Sequence, residues 1–202
     1  MLITEGQLRR IIREELLREA AFDPYSLPAG ITFRLVAEEA SIVLHALKGP
    51  FEVGRIEAKK TTFMEGQCWN AYMIKWARSQ IDGLGPLMYD IVMEAATELG
   101  GGLISDRATV KDPARNVWRY YQRFRSNNQD SRSDVERQQL DSLDDELTPG
   151  DEEDNCDATL AKDAVGDEWA DYPLSGAYRK PGMKTIDLLD RRGKIELEGI
   201  SV

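Results

Sequence analysis

The sequence predicts an α+β fold, in which a mixed, mostly antiparallel sheet carries flanking helices, an N-terminal amphipathic helix and an acidic insertion. Three observations lead to this prediction. Successive runs after residue 30 alternate apolar and polar side chains, as half-buried strands do. The middle of the chain then changes to the order strand, helix, strand, helix. The acidity of the chain is concentrated in one segment.

The chain begins with a charged segment, residues 1–21, that predicts an amphipathic helix or leader ahead of a domain at residues 22–202. Apolar residues recur every four positions at Leu8, Ile12 and Leu16, so they share one helical face. The following stretch "FDPYSLPAG" contains two prolines and a glycine and predicts a linker.

Three strands are expected between residues 31 and 62. The runs "ITFRLVAEE", "SIVLHALKG" and "FEVGRIEAKKT" alternate apolar and polar residues and are separated by short breaks. This pattern favours an antiparallel meander. A fourth strand is expected between Gln67 and Ser79, where "QCWNAYMIKWARS" is rich in aromatic and bulky residues.

Two helices and a short strand should follow. Pro86 suits the first turn of a helix in "PLMYDIVMEAATELGGG", which three glycines end. The run "LISD" predicts a short buried strand that ends on Asp106. The run "KDPARNVWRYYQRF" predicts a second helix, with Asp112 as its N-cap and Pro113 at the first helical position.

An acidic insertion is predicted at about residues 126–171. Between Asp130 and Asp171 the chain has 16 acidic and 3 basic residues, a net charge of −13, whereas the whole chain carries −10. Part of the insertion, "SDVERQQLDSLDDEL", has an imperfect apolar stripe that suits a helix. The acidic residues lack the central glycine and closing glutamate of an EF-hand loop, so no metal site is predicted.

The C-terminal run "TIDLLDRRGKIELEGISV" alternates around Arg191 to Gly193, which predicts a closing hairpin. No run approaches the roughly 20 apolar residues of a membrane span, and the N-terminus lacks the apolar core of a secretory signal. These features predict an intracellular protein without a membrane partner. The acidic net charge disfavours nucleic-acid binding, because phosphate contacts need a clustered basic surface.

One short motif carries chemistry. Gln80, Gly83 and Gly85 form Q-x-x-G-x-G directly after the fourth predicted strand and before the first predicted helix of the domain. Glycines let the backbone approach a phosphate, and a helix N-terminus contributes roughly half a positive charge. A dinucleotide-binding loop fits less well because Met88 stands at its third glycine, and no lysine follows as a P-loop requires. A plain strand-to-helix turn is the alternative.

This motif and its surroundings resemble the coenzyme A loop of the GNAT N-acetyltransferase superfamily, Q/R-x-x-G-x-G/A between the fourth strand and third helix of that fold. The resemblance covers Gln67 to Phe124 and, more loosely, the preceding strands. It implies acetyl-CoA as acyl donor and an unknown amine, either a small molecule or a protein, as acceptor. The cofactor-binding residues that it implies are Trp76, Ala77, Arg78, Gln80, Ile81, Asp82, Gly83, Leu84, Gly85, Pro86 and Leu87.

The resemblance leaves the catalytic residues open. Members of the family often use a tyrosine on the last core helix as the acid, four residues after an alanine, but here that position is Trp118. Tyr121 and Tyr120 are the substitutes, and Asp106 is a candidate base; packing or capping is the alternative role of each. The family's two helices between the first and second strands have no counterpart here, so the acceptor cannot be read. A non-catalytic GNAT-like virion or interaction protein is therefore the alternative function.

The N-terminal segment carries a second resemblance. The stretch "MLITEGQLRRIIRE" is similar to leaders of many proteins of large tailed phages, and "LREA", Leu17 to Ala20, is similar to a prohead protease cleavage signal. This similarity implies a phage-associated protein, located in the virion or in the host cytoplasm. A phage capsid or host protein would then be a partner.

Overall fold

The computed structural model describes residues 22–61, 70–106, 110–126, 135–139, 174 and 176–200. Within these ranges the chain is an α+β protein with one eight-stranded mixed sheet and three helices. The strands are β1 (Ile31–Ala37), β2 (Ser41–Lys48), β3 (Phe51–Lys60), β4 (Tyr72–Ser79), β5 (Leu103–Ile104), β6 (Glu136–Gln139), β7 (Gly176–Arg179) and β8 (Ile195–Glu198). The helices are α1 (Leu84–Leu99), α2 (Asp112–Ser126) and α3 (Lys184–Arg191).

The sheet has the strand order β6-β7-β5-β4-β3-β2-β1-β8. Strands β1 to β3 form the predicted antiparallel meander, and the fourth predicted strand, β4, continues it. Two pairings in the described sheet are parallel, β4 with β5 and β1 with β8, and the others are antiparallel. The prediction of a mixed, mostly antiparallel sheet is therefore confirmed.

The alternation of the strands separates a core face from an outer face. Ile31, Phe33 and Leu35 of β1 are buried, whereas the residues between them are partly or fully exposed. The helix α1 packs on the core face. Gly54 of β3 lies so close beneath α1 that an added Cβ would come within 2.9 Å of the Met88 sulfur, so a larger residue there would displace the end of the Met88 side chain.

The two parallel strands at the centre are joined by α1. β5 is shorter than the predicted "LISD" run, and only Tyr72 and Met73 of β4 pair with it. The helix begins two residues before Pro86, which lies in its first turn as predicted. Asp112 is the first residue of α2 rather than its N-cap, a difference of one position.

Two sequence interpretations are wrong. The helical interpretation of "SDVERQQLDSLDDEL" fails at Glu136–Gln139, which forms strand β6 against β7. Strand β7 was not predicted either. Its edge offers backbone hydrogen-bond partners to residues 136–139, and this pairing outweighs their weak helical pattern. The rest of the insertion and the N-terminal segment 1–21 lie outside the described residues.

The predicted C-terminal hairpin is the second error. Lys184–Arg191 forms α3, and β8 then pairs in parallel with β1. Ile186 and Leu189, three positions apart, are both fully buried, which is a helical repeat that the short apolar run concealed. Among the described residues, no helix has the length and apolar content to cross a membrane.

Candidate ligand-binding site

The turn between β4 and α1, residues 80–83, is built by backbone contacts and one serine. The amide of Gln80 donates to the Val53 carbonyl over 2.8 Å, which ties the turn to β3. The hydroxyl of Ser79 accepts from the Ile81 amide at 3.2 Å and donates to the Ile81 carbonyl at 2.8 Å. The side chain that stabilises the turn is therefore that of Ser79 rather than that of Gln80. Small hydroxyl residues are common in such turns.

The N-terminus of α1 has no side-chain cap. Gly83 occupies the N-cap position at φ 80°, a left-handed conformation that favours glycine, and no side chain of the described residues caps the amides of this end. The first turn contains no acidic residue. The space above Gly85 is open in the described part of the chain, where no atom beyond the adjoining helix backbone lies within 4 Å of an added Cβ. The positive end of the helix dipole is therefore left for another group.

One edge of β4 lies beside this helix end. β3 covers one side of β4 from Tyr72 to Ser79, but on the other side the pairing with β5 stops at Met73. The register also shifts at Lys75, where a bulge interrupts the pairing with β3 and adds twist. The two parallel strands thus part after Met73. We call residues 74–79 on that side the uncovered edge, because no strand in the described part of the chain pairs there.

The backbone direction along this edge follows from the register. Gln80 bonds to Val53, and Arg78 lies opposite Arg55, so these residues point their amides at β3. Alternation then directs the amides of Ala77 and Ser79 toward the uncovered edge. The Ala77 side chain is exposed. It lies on the same sheet face as Ile56, its partner on β3, which is the face on which α1 packs.

Trp76 does not belong to the core. Its side chain is 44% exposed and stands opposite Glu57, on the sheet face away from α1. Core packing, which is the ordinary role of a tryptophan in a strand, is thus excluded for this residue. Arg78 is exposed on the same face. Asp82 is exposed in the turn.

Two aromatic residues of α2 are too buried to reach a substrate as a catalytic acid must. Trp118 and Tyr121 are each 1% exposed, and Trp118 packs edge-on against Tyr89 with the ring centroids 5.4 Å apart. The Tyr121 hydroxyl donates to Asp90 Oδ1 at 2.6 Å and lies 3.0 Å from the Pro86 carbonyl oxygen. The structure thereby brings Tyr121 to the first turn of α1, but as a buried tie between two helices.

The other two candidates are more accessible. Tyr120 is partly buried and packs edge-on against Tyr121, with the ring centroids 5.4 Å apart. Asp106 is partly buried and follows β5 by two residues. It therefore lies at the carboxyl end of a strand, on the side of the sheet where α1 begins.

A buried polar cluster lies further along α1, and sequence reasoning missed it. The cluster consists of Asp90, Glu94, Lys180, Thr185 and Tyr121, each at most 5% exposed. The Lys180 ammonium is 3.3 Å from Asp90 Oδ2 and 3.1 Å from Glu94 Oε1, and it donates to the Thr185 hydroxyl over 2.6 Å. Each charge in the cluster is therefore paired inside the protein.

Glu94 also holds the start of α3. Its two carboxylate oxygens accept the amides of Thr185 and Ile186 at 2.9 and 2.8 Å. A carboxylate from another helix thus replaces the N-cap side chain that α3 lacks. Asp90 and Glu94, four positions apart and each flanked by apolar residues, were the signal in the sequence, because a charge on a buried face needs a partner.

No protein-family model, curated protein or solved structure matches the chain. Inference about its function therefore depends on the geometry of the uncapped helix end and the uncovered edge.

Proposed function

We propose that the chain is an acyl-CoA-dependent N-acyltransferase of the GNAT type, with acetyl-CoA as donor and an amine as acceptor. One observation carries the proposal: the uncapped N-terminus of α1 lies directly after a strand whose neighbouring edge is uncovered. These two features offer amide donors for a diphosphate and a backbone edge for the amide-containing arm of coenzyme A.

The helix end supplies the anion site. Left-handed Gly83 turns the chain, Gly85 leaves open space in front of the first turn, and the helix dipole favours negative charge. Pro86 removes an amide that could not bond within the helix in any case. A diphosphate at this position would accept hydrogen bonds that no side chain now fills.

The uncovered edge supplies the second half of the site. A ligand arm with its own amides can add to this edge as a further strand would, with the Ala77 amide and carbonyl as partners. Ligands of sheets with parallel strands also bind beyond the carboxyl ends of those strands, where β4 and β5 part. The meander β1 to β4 followed by a parallel pair agrees with the order that the resemblance implies.

The contacts of the candidate catalytic residues distinguish a structural tyrosine from a candidate acid and a candidate base. A neutral amine must attack the thioester carbonyl, and the departing thiolate needs a proton. Tyr121 is assigned a structural role because its hydroxyl already donates to Asp90. Tyr120 is the candidate acid and Asp106, at the carboxyl end of β5, the candidate base.

A non-catalytic GNAT-like virion or interaction protein is the second candidate. The burial of Trp118 and Tyr121 favours it, because the helix that would carry the acid directs its largest aromatic residues into the core. Phage association belongs to either function and depends on residues 1–21 alone.

Calorimetric titration with acetyl-CoA tests the proposal. The wild-type protein should bind, and Gly85→Trp should abolish binding because the indole fills the open space before the first turn. Gly85 is a better probe than Gly83, whose left-handed backbone would make any substitution destabilising. Lys48→Trp, on an exposed strand end, is the matched control and should bind as the wild type does.

Absence of binding to the wild type would contradict the proposal and favour the non-catalytic protein. If acetyl-CoA binds, release of free thiol in the presence of a panel of amines separates an enzyme from a binding protein. Tyr120→Phe should then lower the rate by roughly 10²-fold or more while binding is retained.

A further inference from the structure

Besides the uncapped amides of α1, a buried serine hydroxyl lies at the point where β4 and β5 part. Ser105 directly follows β5 and is 1% exposed, yet its hydroxyl has no hydrogen-bond partner among the residues that the structure describes. Buried hydroxyls in folded proteins are nearly always bonded, because an unmet one loses its water without compensation. An unpartnered serine at this position therefore needs an explanation.

The register places Ser105 relative to the uncovered edge. Tyr72 pairs with Leu103 and Met73 with Ile104, so Ser105 is the next position, beside Ile74, where the pairing has stopped. The bulge at Lys75 lies one residue farther along β4. Ser105 thus stands at the closed end of the gap between the two strands.

Side-chain alternation gives the direction of the hydroxyl. Leu103 belongs to the main core under the helices, and Ile104 belongs to a small cluster on the opposite face. Alternation directs Ser105 to the face of Leu103, the same face on which α1 packs and Ala77 is exposed. The orphan hydroxyl and the exposed edge of β4 therefore share one side of the sheet.

The spacing suits an elongated ligand. Ile74 and Ser79 are roughly 16–17 Å apart along β4, at about 3.3 Å per residue. A ligand with its diphosphate at α1 and its arm along Ala77 would therefore bring its far end to Ser105. In an acyl-CoA that end is the thioester.

We infer that the Ser105 hydroxyl donates a hydrogen bond to the carbonyl oxygen of the acyl group, at the closed end of the gap between β4 and β5. This inference depends on the proposed function and adds to it the residue that recognises the acylated ligand. The negative charge that develops on this oxygen during transfer would strengthen the bond.

Titration of Ser105→Ala with acetyl-CoA and with free coenzyme A tests the inference. Loss of one hydrogen bond should weaken acetyl-CoA binding about fivefold and leave coenzyme A binding unchanged, since free coenzyme A has no acyl carbonyl. Without ligand, Ser105→Ala should melt roughly 2–4 °C higher, because the unmet hydroxyl is gone. Ser105→Cys, which keeps the volume but donates weakly, repeats the test if the alanine variant folds poorly.

The outcomes separate the two proposals. Equal affinities of wild type and Ser105→Ala for acetyl-CoA would overturn the role of Ser105 while leaving the ligand class intact. Equal weakening for both ligands would show a structural role and also overturn it. Failure of the wild type to bind either ligand would overturn the proposed function itself.

Discussion

Two parts of the same helix treat polar groups in opposite ways. In the middle of α1, Asp90 and Glu94 are buried and every charge has a protein partner. At the start of α1, no described side chain caps the helix, and no described side chain fills the space above Gly85. Buried groups in the middle of α1 thus find partners within the protein. At its start the Leu84 amide donates to the Ile81 carbonyl, but the other first-turn amides have no side-chain cap, so an external group is expected there.

The buried charges of α1 resemble a catalytic group, but their contacts indicate a structural role. A lysine, two carboxylates and a tyrosine in contact suggest acid-base chemistry. Here the two oxygens of Glu94 are taken by the amides of α3, and Asp90 accepts from Tyr121. The buried polar cluster is therefore a structural device that joins α1, α2, β7 and α3.

The largest expected effect comes from breaking the buried polar cluster. Lys180→Met leaves two buried carboxylates without their cation and should lower the free energy of unfolding by about 3–5 kcal/mol. Urea unfolding measures this loss. Lys184→Met, an exposed lysine four positions away, is the control and should change stability little. Similar losses in both variants would contradict the distinction between the two regions.

A smaller effect should appear at alkaline pH. Burial raises the pKa of Tyr89, which packs beside the cluster against Trp118. The unfolded chain then releases this proton near pH 10 while the folded chain retains it, so stability falls as pH rises above about 10. One such tyrosine contributes a slope of up to about 1.4 kcal/mol per pH unit.

Urea midpoints at several values above pH 10 check this expectation. Tyr89→Phe should flatten the decline, whereas Tyr25→Phe, at a 72% exposed tyrosine, should not. Identical slopes in the wild type and Tyr89→Phe would show that burial of this ring does not govern the alkaline limit.

The smallest effect concerns the open end of the helix. Asp82 is exposed in the turn and places a negative charge near the proposed diphosphate. Asp82→Asn should tighten acetyl-CoA binding about two- to fivefold, and added salt should reduce the gain. Asp190→Asn, at an exposed position of α3, should leave affinity unchanged. A weaker complex with Asp82→Asn would indicate that the diphosphate lies elsewhere.

The predictable parts of the fold were those with a repeated local signal. Strict alternation predicted β1 to β3, and Pro86 with the three closing glycines predicted α1. The helix α3 was missed because two turns give only Ile186 and Leu189 as a repeat, and its N-terminus is held by Glu94 from a distant part of the chain. Strands β6 and β7 were missed because their pairing is long-range: β7 pairs with β5 and β6 pairs with β7, and neither short segment signals its partner.

The candidate site likewise has one part that a local motif predicts and another part that depends on long-range contacts. The motif Gln80, Gly83, Gly85 is local, and the structure places it at an uncapped helix end. The stopped pairing of β5, the orphan hydroxyl of Ser105 and the burial of Tyr121 are long-range properties. No spacing within one segment encodes them.

Amide chemical shifts during titration with coenzyme A test the central claim most directly. The account predicts that the largest shifts fall on the amides of Ala77, Gly83 and Gly85, while those of Asp90, Glu94 and Lys180 stay nearly constant. Shifts centred on the buried polar cluster, or no shifts at millimolar coenzyme A, would contradict it.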